Sequence, residues 1–163
     1  MSTSSDTPSQ VRTGRIRRSN ETLILIAAEQ EFARRGFDGA SIGRIARSAG
    51  VARANVHYYF KSREKLYLRV LDDIVDRWNQ SFPENSSLDE PYDIIKHYIA
   101  AKLHFSRHNP AASKIFAGEI LRGAPLMGDR LESIYSNWLH SKVGILKSWM
   151  QAGKMDSLDP YHV

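Results

Sequence analysis

Apolar side chains recur every three or four positions along most of the 163 residues, and no segment alternates in the way a half-buried strand requires. Ile24, Ala27, Ala28 and Phe32 share one face of a helix that starts near Asn20, and Gly36 supplies its stop. Ser41 is a good N-cap for a short second helix with Ile42, Ile45, Ala46 and Ala49 on its inner face, ended by Gly50. A third short helix is expected over residues 52–59. Ser62 then caps a long fourth helix, with Glu64 near the positive end of its dipole and Leu66, Val70, Ile74 and Trp78 as the buried stripe.

The turn-rich "FPENSSLDEP" breaks the pattern. Ile94, Ile95, Tyr98, Ile99, Leu103 and Phe105 form a fifth helix of roughly 18 residues. Asn109 and Pro110 restart the chain as cap and first helical residue. Ile115, Phe116, Ile120 and Leu121 follow, and "RGAPLMG" interrupts again. A long amphipathic helix then carries Leu131, Ile134, Tyr135, Trp138, Leu139, Val143, Leu146 and Met150 up to Gly153. The fold class is all-α.

Charge divides the chain in two. Residues 1–71 hold 13 Lys or Arg against 6 Asp or Glu, whereas residues 72–163 hold 10 against 12. The first half is therefore suited to a polyanion and the second to something else. With no cysteine there is neither a disulfide nor a thiolate metal site. The longest apolar run, "LILIAA", is far below the ~18 residues of a membrane span, so a cytoplasmic location is the default expectation.

The stretch "SIGRIARSAGVARANVHYYFKSREKL" has six Lys or Arg and one Glu around a regular apolar skeleton. Gly50 turns the chain sharply, and Ala46 is small enough to sit where two helices cross. With Ile42, Ile45, Ala49, Val51 and Val56 assigned to the core, Arg44, Arg47, Arg53, Asn55, His57, Tyr59, Lys61 and Arg63 point outward. This is the layout of a helix-turn-helix.

"IAxxAGVxxxxVxYYFxSxExL", preceded by "AAExxFxxxGFxGxS", resembles the signature of the TetR family of bacterial transcriptional regulators over residues 19–71. The later "KLHFSRHNPAASKIFAGEILRGAPLM" and "GKMDSLDP" resemble the ligand-binding half of its RutR-like subgroup, whose founding member governs pyrimidine utilisation. The resemblance implies a basic disordered arm over 1–18, a helix-turn-helix DNA-binding domain over 19–65, and a helical effector-binding and dimerisation domain over 66–163. It departs from the family pattern at Ala52, where Ser or Thr usually caps the recognition helix, at Arg63 in place of a common lysine, and at Glu31 in place of an apolar residue.

By position in that motif, Arg53 and Asn55 are the candidate base readers, suited to guanine and adenine respectively, with Ala54 on the same surface. Phosphate contact is the alternative role for Arg53. Ser41, Arg44, His57, Tyr59, Arg63 and Lys65 are expected to grip the DNA backbone. Tyr58 and Phe60 are expected in the core, and the arginines at 12, 15, 17 and 18 on an arm along the backbone or minor groove. Trp78, Phe105, Phe116, Tyr135 and Trp138 are candidate effector-pocket residues, and the subgroup suggests a nucleobase-like effector.

The resemblance thus implies a repressor, not an enzyme, that binds a double-stranded DNA operator as a homodimer and is released by a small molecule, with no cofactor and no membrane partner. Its rivals are a DNA binder without sequence preference or effector, a membrane-surface protein, and a small helical enzyme using His104 or His108. Against the enzyme, there is no nucleophile elbow, glycine-rich phosphate loop or "HExxH", and His97, His104 and His108 find no carboxylate at matching offsets for a metal. Asp159 and Pro160 read as the start of another helix three residues before the last residue, Val163. Because family members continue with two further helices that build the dimer interface, the chain as given is expected to be incomplete there, to dimerise weakly and to expose apolar surface.

Overall fold

The computed structural model describes residues 8–79 and 90–162 and, within them, all side chains except those of 8–18, 129–135, 137 and 138. The described residues form seven helices and no strand: α1 (Pro8–Gly39), α2 (Ile42–Ala49), α3 (Arg53–Phe60), α4 (Arg63–Asn79), α5 (Pro91–His108), α6 (Pro110–Leu121) and α7 (Gly128–Gln151). They divide into two compact units, with the boundary inside α4 after Asp73.

In the N-terminal unit, α1 begins at Pro8 and not near Asn20. The backbone of residues 8–18, expected as a disordered arm, is therefore helical; residues 1–7 and the side chains of Arg12, Arg15, Arg17 and Arg18 lie outside the described residues. Nucleation is the costly step in helix formation, and each added residue brings its own hydrogen bond. Between Pro8, whose fixed φ suits a first turn, and Arg18, only Gly14 is a poor helix former, so the helix propagates backward. At its other end Gly36 adopts φ 70 and ψ 179, a conformation essentially confined to glycine, and the helix kinks there as its position predicts.

The predicted inner faces converge. Ile24, Ala27, Ala28 and Phe32 of α1 are buried with Ile45, Ala46 and Ala49 of α2, Val56 and Phe60 of α3, and Leu66 and Val70 of α4. Tyr67 closes this core against Phe32 at 4.8 Å and Phe37 at 5.2 Å, both edge-on. Each buried Ile, Leu, Val or Phe side chain here contributes roughly 1.5–3 kcal/mol by leaving water, and each alanine less. Ser62 caps α4 as expected: its Oγ accepts the Lys65 N–H at 3.1 Å.

In the C-terminal unit, α5 matches its expected 18 residues. Asn109 stands at the N-cap position of α6, but its side chain reaches back: Nδ2 donates to the Phe105 carbonyl at 3.1 Å, closing the end of α5. Glu119 is completely buried. Its carboxylate accepts the Leu126 N–H at 2.9 Å and Arg122 Nη2 at 2.9 Å, which fixes the "RGAPLMG" loop. Ala112, Ile115, Met127, Val143 and Trp149 are also buried. The apolar stripe of α5 is only partly covered: Ile99 and Leu103 are 51% and 67% exposed while Ile94, Ile95, Tyr98 and Phe105 are half-buried, and Tyr92 near its start is 72% exposed. Leu121 at the end of α6 is exposed too. Asp159 does act as a local cap, its Oδ1 accepting the Tyr161 N–H at 2.9 Å.

Candidate nucleic-acid interface

The bend between α2 and α3 is built from the backbone. Gly50 sits in the left-handed region (φ 67, ψ 27), its N–H donates to the Arg47 carbonyl at 3.2 Å, and the Val51 N–H donates to the Ala46 carbonyl at 3.0 Å. This pair of reversed hydrogen bonds is a Schellman closure, which ends α2 and redirects the chain within two residues. Ala52 then occupies the N-cap of α3 in an extended conformation without a side-chain cap, and α3 runs for only two turns. Packing sets its rotation. Val56 and Phe60, four residues apart, are its buried positions, so whatever lies opposite must face water.

Arg53, Ala54 and His57 are accordingly exposed, while Asn55 and Tyr59 are half-buried. Lys65 is exposed and Ser41 half-buried. Tyr58 departs from expectation. Assigned to the core beside Phe60, it is 60% exposed, with Tyr59 edge-on at 5.3 Å and Lys61 Nζ 5.5 Å from its ring centre. The signal was present in the spacing: two residues from Val56 is about 200° around a helix, on the side away from the core.

Two expected phosphate contacts have work inside the unit. Arg44 donates through Nε to Glu31 at 2.6 Å and through Nη2 to the Gly39 carbonyl. Arg63 donates through Nη1 to the carbonyls of Asp38 at 3.2 Å and Ala40 at 3.3 Å, with its guanidinium 4.5 Å from the Phe37 ring centre. Both fix the loop that delivers α2. Glu31, the acidic departure in α1, accepts the Ser41 N–H at 3.2 Å as well and so satisfies the start of α2. Burial raises the Glu31 pKa, but the hydrogen bonds from Arg44 and Ser41 and the charges of Arg44 and Arg35 outweigh it, leaving the carboxyl below its ordinary value.

Three of the five candidate effector residues meet in the C-terminal unit. Trp78 stacks parallel to Phe105 at 6.2 Å and meets Phe116 edge-on at 4.9 Å. The buried Trp78 Nε1 has no hydrogen-bond partner among the described residues. Lys102 lies 4.6 Å from the Trp78 ring centre and donates to the Trp78 carbonyl at 2.9 Å. Burial, with a smaller push from the Lys142 charge, lowers the Lys102 pKa to about 8. The side chains of Tyr135 and Trp138 lie outside the described residues. His97, His104 and His108 are all exposed, and no cluster of three or more metal-ligating side chains exists among the described residues.

Residues 24–70 match the family model of bacterial regulatory proteins of the tetR family, and residues 71–163 match that of the YcdC-like protein C-terminal region. The chain belongs to the TetR family. It is thus a helix-turn-helix transcriptional regulator and not an enzyme. It is 37% identical to the transcriptional regulator RutR of Escherichia coli K12 over 145 residues, which are 89% of this chain and 68% of RutR. It is 29% identical to the transcriptional repressor NicS of Pseudomonas putida over 83% of this chain and 63% of NicS. Among solved TetR folds, the hemolysin II regulator HlyIIR superposes with a TM-score of 0.69 at 24% identity, over 90% of this chain and 81% of that one. At that identity the likeness concerns the fold alone.

Proposed function

We propose that this regulator is a repressor that grips a palindromic operator as a homodimer and lets go when a small molecule occupies the C-terminal unit. The observation that carries the proposal is the outward face of α3, where Arg53, Ala54 and His57 are exposed on a helix whose rotation is fixed by Val56 and Phe60. Arg53 and Asn55 read bases in this scheme, and Ser41, His57, Tyr59 and Lys65 hold phosphates, joined by Arg44 and Arg63 where their internal bonds leave the guanidinium reachable. Exposed Tyr58 is added to the backbone-facing set. In a dimer the two copies of α3 enter successive major grooves about 34–36 Å apart.

The effector end rests on the aromatic cluster. A buried indole N–H without an acceptor costs about 1–3 kcal/mol, which a ligand carbonyl or ring nitrogen would recover. Flat rings at Trp78, Phe105 and Phe116 suit a planar heterocycle such as a nucleobase. An effector that binds one dimer spacing better than the other lowers operator affinity by that difference.

The test is competition at fixed salt between random duplex and a palindrome selected from genomic fragments. The selected site should bind at least about 10³-fold tighter. Equal affinity would reject sequence-specific control and favour a DNA binder without preference.

A further inference from the structure

A groove of about 260 Å³ opens between α1 and α2, with Arg34 and Arg35 on one wall and Arg44 and Arg47 on the other. Gln30 and Ser48 add neutral polar groups, and no residue of α3 lines it. Four guanidinium groups face a single carboxylate there, that of Glu31. Glu31 is already engaged by Arg44 at 2.6 Å, Arg35 at 3.7 Å and the Ser41 N–H at 3.2 Å. By contrast, Arg34 and Arg47 make no hydrogen bond or ion pair among the described residues.

Like charges gathered in a concavity repel one another, and each raises the local concentration of anions. A compact anion between the two walls would relieve that repulsion and satisfy two planar forks at once, the geometry in which arginine holds an oxyanion best. The formal excess of three positive charges exceeds the charge of about −1.5 to −2 that a phosphate monoester carries near neutral pH. Gln30 and Ser48, which also line the groove, carry neutral donors of the kind its remaining oxygens would accept from.

We propose that this groove is a phosphate-binding site separate from the recognition helix. Its occupant is a phosphate group, offered either by a small phosphorylated molecule or by duplex DNA running beside the α1–α2 edge. A bound phosphate clamps α1 to α2 and so stabilises the N-terminal unit.

The full chain is titrated with inorganic phosphate against chloride at constant ionic strength, by calorimetry and by thermal melting. Saturable binding and a raised melting temperature are expected. The double variant Arg34→Ala, Arg47→Ala should weaken phosphate binding by about tenfold or more, since each charge-assisted hydrogen bond is worth more than that factor. Its helicity in chloride should match the parent and its melting temperature should not fall, because neither side chain makes a hydrogen bond or ion pair among the described residues and two mutually repelling charges are removed. A short duplex then separates the sources. If saturating duplex displaces phosphate, or the double variant loses affinity for random duplex with a shallower salt dependence, the groove takes DNA backbone phosphate. If phosphate stays bound beside the duplex, a small phosphorylated ligand is the occupant. Phosphate binding that survives in the double variant, or no binding beyond chloride together with unchanged duplex affinity, would overturn the proposal.

Discussion

The two units pair their buried or part-buried carboxylates alike but differ in what else they leave to solvent or without a partner. In the N-terminal unit the acidic departure at Glu31 is met by Arg44, Arg35 and the Ser41 N–H, and the core is aliphatic with Phe32, Phe37 and Tyr67 at its edge. In the C-terminal unit the buried carboxylate of Glu119 is likewise paired, with Arg122 and the Leu126 N–H, but the Trp78 indole N–H has no acceptor among the described residues, Lys102 is partly desolvated, and a row of apolar side chains on α5 faces water. The first unit pairs its part-buried carboxylate and buries the inner faces of its four helices; the second leaves an indole N–H without an acceptor among the described residues and an apolar row in water. That contrast suits the proposed division into a DNA reader and an effector sensor. A surface that must match DNA gains from rigidity, whereas a ligand can bias only an element with something left to satisfy.

The strongest attack on this contrast is Ile45→Ala. It opens a cavity at the centre of the reading unit and should cost about 2–5 kcal/mol in thermal or urea unfolding, with operator binding falling as the bend loosens. A cost under 1 kcal/mol would show that the unit is less tightly packed than its burial implies. Next, Arg53→Ala should lose about 1–3 kcal/mol on the preferred site and little on random duplex. Uniform loss on both would reassign this side chain to phosphate.

In the C-terminal unit, Leu103→Lys replaces an exposed apolar residue and should change stability by no more than about 0.5 kcal/mol. A larger loss, growing with protein concentration, would show that a second copy covers α5. The smallest effect is a pH dependence. Lys102 has a folded pKa of about 8 against an ordinary 10.5, so between those values the unfolded chain holds the proton that the folded chain has released. Stability should therefore rise through this window by a modest amount, the burial penalty being fully present only below pH 8. In Lys102→Met that rise should disappear from the denaturation profile; an identical rise in the variant would place its source elsewhere.

Local rules made most of the secondary structure legible. Gly36 and Gly50 stop their helices where a positive φ is needed, Ser62 caps α4, and the apolar spacing of α2, α3 and the start of α4 selects the side chains that become core. These depend on neighbours within about four residues, and a linear pattern contains those neighbours. The backward extension of α1 to Pro8 carries no apolar periodicity, so pattern alone does not report it, although backbone propensity tolerates arginine well.

The chain's linear order settled that there are two charge regimes, a sharp turn at Gly50 and seven helices among the described residues. Only the folded arrangement decided that Arg44 and Arg63 are drawn onto Glu31 and the loop carbonyls, and that four arginines from two helices line one groove. The reason is separation along the chain. Glu31 and Arg44 lie 13 residues apart, Arg63 and Asp38 25, and no periodicity of three or four residues reports a contact at that distance.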